Sequence, residues 1–144
     1  MSTAIRVKKA LVSAIGQRPE FRNRQVEISH PGADAESEMV YIAGVRSVDT
    51  ARRLGKAHRR EELTVELGIL CELDGTDLEE VEERAYQMLE GVQTGVYEDT
   101  SLGGLVHVAE IVAWDQRSFS GPERCIVEIT VDIRVLADFE GVDS

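Results

Sequence analysis

Between residues 125 and 135 the chain alternates without a break. Cys125, Val127, Ile129, Val131, Ile133 and Val135 fall on one parity, and Ile126, Glu128, Thr130, Asp132 and Arg134, polar but for the first, on the other. Successive side chains of a strand point to opposite faces, so a strict period of two marks a strand with one apolar face and one polar face. Residues 63–71 repeat the pattern, with Leu63, Val65, Leu67, Ile69 and Cys71 on one side. Two strands of this kind require a sheet whose inner face is covered by something else.

Two amphipathic segments supply the cover. Residues 3–15 place Ala4, Val7, Leu11, Ala14 and Ile15 at helical spacing, with Arg6, Lys8 and Lys9 off the stripe. Ser2 or Thr3 can cap this helix and Gly16 can end it. After the Asp74-Gly75 turn, Thr76-Asp77-Leu78-Glu79 has the form of a capping box, in which hydroxyl and carboxylate satisfy free backbone N–H groups. Leu78, Val81, Ala85, Met88, Leu89 and Val92 form the apolar stripe of the helix that follows. Its early acids Asp77, Glu79, Glu80, Glu82 and Glu83 suit the positive end of a helix dipole.

The remaining elements are weaker. Short strands are expected at 25–29 and 39–43, with a Pro31-Gly32 turn between them, and a longer one at 105–114, where Val106 and Val108 alternate with His107 and Ala109. Residues 98–104, ending in Gly103-Gly104, read as a turn, and residues 116–123 as the hairpin link into the final strand. This order predicts one α+β domain over residues 1–144: a mixed, mainly antiparallel sheet with both helices on one face, a two-layer sandwich. The other face would carry Glu66, Glu128, Asp132 and Arg134, either wet or partnered.

A length of 144 residues with 42% hydrophobic and 30% charged residues suits a single globular core. No apolar run approaches the roughly 20 residues of a membrane span, and the first residues lack the apolar stretch of a signal peptide, so synthesis in the cytosol and no membrane partner are expected. Cys71 and Cys125 sit on core parity without a metal-knuckle neighbour, as buried reduced fillers.

Charge is segregated along the chain. Residues 1–60 hold 12 Lys+Arg against 6 Asp+Glu, whereas residues 61–144 hold 4 against 21. Copies that dock head to tail gain association rate and register from surfaces of opposite sign, so self-assembly is the first expectation. The net charge of −11 disfavours general nucleic-acid binding.

Periodicity fails from 44 to 62, where Arg46, Arg52, Arg53, Lys56, Arg59 and Arg60 face only Asp49 before Glu61. A connection this long is usually functional or mobile, and these six residues are the expected interface loop. An acidic tail is expected at 138–144. Phe119, in the polar hairpin, is a candidate apolar anchor for a protein partner, and Asp99, Glu128 and Asp132 are candidate acidic interface residues.

Chemistry is sparse. His30, His58 and His107 are scattered, and none lies four residues from another His, Cys or carboxylate on a helix, so no metal site is expected. Nucleophile elbow, phosphate-cradle and dinucleotide motifs are all lacking. Neither a cofactor nor an enzymatic activity is expected.

The order of elements resembles the tail terminator proteins of long-tailed (siphovirus-type) bacteriophages. The resemblance runs through the helix ending near Ile15, the strand with Val26, the long loop after 39–43, the alternating 63–71, the acidic-capped helix 77–93, the junction Thr100-Ser101-Leu102-Gly103-Gly104-Leu105-Val106 and the two closing strands. It implies a ring, usually of six subunits, that caps the growing tail tube, stops its polymerisation and presents the head-joining surface. The implied partners are copies of the chain, the tail tube protein and a head-completion or connector protein. No specific nucleic acid is implied, only DNA passing through the ring. The implied location is the virion tail or neck, reached from the host cytoplasm during assembly. The alternatives are another phage neck protein, such as a head-completion or connector subunit, or a small cytosolic α+β ligand-binding or regulatory module with its pocket between helix and sheet.

Overall fold

Strands β3 (His58–Asp74) and β5 (Arg124–Glu140), 17 residues each, pair antiparallel along their whole lengths, from His58 with Glu140 to Asp74 with Arg124. They form the spine of a five-stranded sheet in a computed structural model that describes residues 3–34, 36–48, 58–75 and 77–140. The other strands are β1 (Gln25–Glu27), β2 (Glu38–Val48) and β4 (Val108–Ser120), in the sheet order β1-β2-β3-β5-β4. Only β1 and β2 run parallel. Helices α1 (Thr3–Gly16) and α2 (Leu78–Glu98) lie on one face, α1 against β1 and β2, α2 against β3, β5 and β4. The expected α+β two-layer architecture is the observed one.

The two alternating patterns do what their parity requires. Leu63 to Cys71 and Cys125 to Ala137 bury every second side chain under the helices. From α1 come Val7, Leu11 and Ile15, and from α2 Val81, Ala85, Met88, Val92 and Val96, all within the same core cluster. Each fully buried aliphatic side chain of this size contributes about 1.5–3 kcal/mol relative to exposure. None of the buried residues described is polar or charged. Two glycines of α2 set the helix spacing. A Cβ at Gly91 would stand 2.8 Å from the Phe21 ring and 2.9 Å from Glu20 Cβ, and one at Gly95 3.4 Å from Ile15 Cα.

Among the described residues, the second sheet face is covered beside β2. There Met39 is fully buried, His30 meets Tyr41 edge-on at 4.9 Å, and the Tyr41 ring lies over Gly68. Burial, followed by the charges of Glu128 and Glu66, raises the Tyr41 pKa.

Several expectations are corrected. Residues 44–62 are not one loop: residues 44–48 belong to β2 and residues 58–62 to β3, paired from Gly44 with Glu66 to Val48 with Glu62. A bulge at Ala43 shifts parity between Ile42 and Gly44. Helix α2 runs on to Glu98 and takes its cap from Asp77, whose carboxylate accepts the Glu80 N–H at 3.3 Å; Thr76 lies outside the described residues. Strand β4 begins at Val108, carries a bulge at Val112 and continues to Ser120, leaving residues 121–123 as the turn. Of the expected acidic tail, residues 138–140 are part of β5, and residues 141–144 lie outside the described residues. The turn after α2 is as expected, with Leu102, Gly103 and Gly104 at positive φ.

Candidate interaction surfaces

The two helices carry opposite charge above opposite halves of the sheet. Helix α1 has Arg6, Lys8 and Lys9 and no acid; α2 has Glu79, Glu80, Glu82, Glu83, Glu90 and Glu98 against the single base Arg84. The contacts of α1 with β1 and β2, and of α2 with β3, β5 and β4, put the basic helix over one sheet edge and the acidic helix towards the other.

Between the two flanks the charges of the chain's halves are neutralised. The Arg18 guanidinium bonds Glu20 at 3.1 Å and Glu98 at 3.0 Å, tying the turn after α1 to the end of α2. Arg24 and Arg84 each stand 3.3 Å from Glu38 Oε1. Burial is the largest single influence on Glu38 and pushes its pKa up, but the two guanidiniums together outweigh it and hold the carboxyl below the usual range. Cys71 donates to the same carboxylate at 3.7 Å, and burial pushes its thiol up to about 12, so it is protonated and inert. Ion pairs joining the two halves of the chain in this middle region are Arg18–Glu98 and Arg84–Glu38, and the pairing of β3 with β5 also brings Arg60 opposite Asp138. Arg6, Lys8 and Lys9 make no ion pair among the described residues.

At the far edge α2 meets β4 through side chains. Tyr86 stands edge-on to Trp114 with ring centroids 6.2 Å apart, its hydroxyl donates to the Gln116 side-chain oxygen, and Gln116 Nε2 donates to Glu82 at 2.8 Å. Register places Trp114 opposite Val131 and Gln116 opposite Ile129, on the helix-bearing face. Yet Trp114 remains 45% exposed and Val112, at the bulge, 53% exposed, because α2 does not reach across the edge strand. An aromatic side chain of this size left half in water, close to the acidic helix α2 and beside the sheet's edge strand, has the composition of an interface centre.

The expected site residues are dispersed. Arg46 lies on β2, exposed and opposite Thr64. Arg52, Arg53 and Lys56 lie outside the described residues. Arg59 and Arg60 are strand residues paired with Phe139 and Asp138, not loop residues. Phe119 sits on β4 opposite Ile126 rather than at a hairpin tip, and is 53% exposed on the face away from the helices. Glu128 and Asp132 share that face, with Arg134 beside them bonded to Glu62 at 3.2 Å and Glu110 at 3.7 Å. Asp99 ends α2, and its carboxylate accepts the Gly103 N–H at 2.9 Å, which orders the turn. Sequence reasoning missed Trp114, Tyr86 and Val112, since the bulge hides the parity that would place Trp114 beside α2.

No family model matches the chain, and no curated protein matches it. Among solved structures it is similar to a chain of the "Virion of native gene transfer agent (GTA) particle", with 11% identity and a TM-score of 0.49 over 88% of this chain and 84% of that one.

Proposed function

We propose that this chain is a structural subunit of a phage-type tail, forming a ring that caps the tail tube, ends its polymerisation and offers the head-joining surface. The reading rests on the resemblance in element order described above. One observation carries it further: the basic helix α1 stands over the β1–β2 edge of the sheet, and the acidic helix α2 over β3 and β5 with its outer side towards β4. A head-to-tail contact repeated around a closing rotation needs two unlike, complementary patches per subunit, and this placement supplies them. The role is one of assembly, with the tube protein and a head-side protein as partners and DNA passing through the channel. A ligand-binding module has less support, since the helix–sheet interface is lined by buried aliphatic side chains that offer no polar anchor.

Electron microscopy of tail tubes assembled with and without the protein tests the reading. Added protein should produce tubes of limited length that end in a ring. Tubes of unchanged length with bare ends would refute it. Binding to the head-side connector, with no effect on tubes, would reassign the chain to another neck position.

A further inference from the structure

We infer that a second copy of this chain seats the outer stripe of its α1 on the rim where α2 meets β4, with Trp114 at the centre of the contact. The inference rests on the ring reading and specifies which surfaces would close it.

The rim is built for a basic, partly apolar occupant. Its centre is the Tyr86–Trp114 pair, of which Trp114 is 45% exposed. Glu79, Glu82 and Glu83 lie seven, four and three residues before Tyr86 and so share its side of α2, a helix with one base for six acids, and Glu82 is bonded to Gln116 of β4. A free apolar patch beside such a run of charge selects against acidic partners, including this molecule's own rim. Two rims meeting by a two-fold axis would oppose like charges, so a symmetric dimer through this surface is disfavoured.

The complementary surface is on the same molecule. Ile5, Lys8 and Val12 follow one another at i, i+3 and i+7 along α1, and Lys9 adjoins them. Ile5 is exposed, Val12 is half-buried with part of its side chain packed on the core, and Lys8 and Lys9 are free of ion pairs among the described residues. An aliphatic stripe edged by ammonium groups matches an aromatic centre edged by carboxylates in both polarity and charge. The dimensions also agree. The 14 residues of α1 span about 21 Å, and residues 112–120 of β4 span about 30 Å, so the helix fits within the exposed stretch. Because α1 and the rim occupy opposite edges of the sheet, each copy that accepts a helix leaves its own helix for the next.

Charge exchange tests this contact. The whole chain would be studied by analytical ultracentrifugation at low ionic strength, where the Debye length is about 30 Å at 0.01 M rather than about 8 Å at 0.15 M. Wild-type protein should show concentration-dependent association. Lys8→Glu with Lys9→Glu in one variant, and Glu79→Lys with Glu83→Lys in another, should each weaken it by about tenfold or more. An equimolar mixture of the two variants should regain it, since every junction in an alternating assembly again pairs opposite signs. Circular dichroism of each variant would verify folding, and the rescue in the mixture cannot arise from misfolded chains. Association of wild type and both single-patch variants to the same extent would overturn the contact and leave the ring reading standing. A wild type that stays monomeric at every concentration would also overturn it, and the tube-capping experiment would then judge the ring reading separately.

Discussion

The central strands and the edge strand of this sheet are similar in length and opposite in character. In β3 and β5 every second residue is fully buried over the span the helices cover, whereas in β4 nearly every residue after Ile111 is exposed on both faces. The difference comes from one geometric fact, that two helices cannot roof five strands. Helix α2 sits above β3 and β5, covers Ala109 and Ile111 at the start of β4, and meets the later part of that strand through Tyr86 and Glu82. The centre therefore holds the fold together, and the edge holds apolar surface that folding does not need.

The sharpest way to break that division is to truncate one residue from each region. Ile133→Ala should lower unfolding free energy in urea by about 2–5 kcal/mol, the usual cost of a cavity in a packed core. Trp114→Ala should cost about 1 kcal/mol or less in monomer stability, because nearly half its surface is already in water, while removing association. Equal losses would place Trp114 in the core.

Helix α2 repeats the contrast on its own two sides. Gly91→Ala should destabilise by about 1–3 kcal/mol, since a Cβ there meets Phe21 and Glu20, reversing the gain of about 1 kcal/mol that helix propensity alone predicts. Its neighbour Glu90 faces solvent, and Glu90→Ala should stay within about 0.5 kcal/mol in the same urea titration.

Acid should loosen the join between the halves before it reaches the core. The Glu38 carboxyl has a folded pKa lowered from its ordinary value, so its contribution is fully present above that value and is lost as pH falls through the folded pKa. Thermal unfolding followed from neutral pH downward should show a stability decline below pH about 4.5 that Glu38→Gln flattens. An identical acid limb in the variant would remove Arg24–Glu38–Arg84 as its source.

A last test concerns the basic segment expected at the interface. Reversing Arg52, Arg53, Arg59 and Arg60 together should weaken ring or tube binding at ordinary salt. Normal capping by the reversed protein would remove that segment from the interface.

What the sequence disclosed follows the same division. Where one face is roofed, apolar parity is unbroken, so 63–71, 125–135 and the α2 stripe were legible directly. Where the roof ends, parity carries no message. Strand β2 passes its bulge at Ala43 and continues as Gly44, Val45, Arg46 and Ser47, with Val45 alone apolar yet all four paired, and such a run reads as loop. The first residues of β3 disappear for the same reason: a 17-residue strand spans about 55 Å, and the 21-residue α2 only about 32 Å. In β4 the bulge at Val112 moves Trp114 onto the helix side, an inversion visible only once register is known. The opposite charges of α1 and α2 were legible as composition. Their placement, α1 over the β1–β2 edge and α2 over β3 and β5 towards β4, depends on strand order, which pairs β5 between β3 and β4 and leaves no local trace.

The central claim is that unlike flanks of neighbouring copies meet, and site-directed disulfide formation tests it most directly, since the native Cys71 and Cys125 are buried. Protein carrying Lys8→Cys would be mixed with protein carrying Glu83→Cys and oxidised mildly. The account predicts a covalent heterodimer in the mixture, little self-linking of either variant alone, and a ladder of higher species when one chain carries both cysteines. Efficient self-linking of a single variant, with no heterodimer in the mixture, would contradict it.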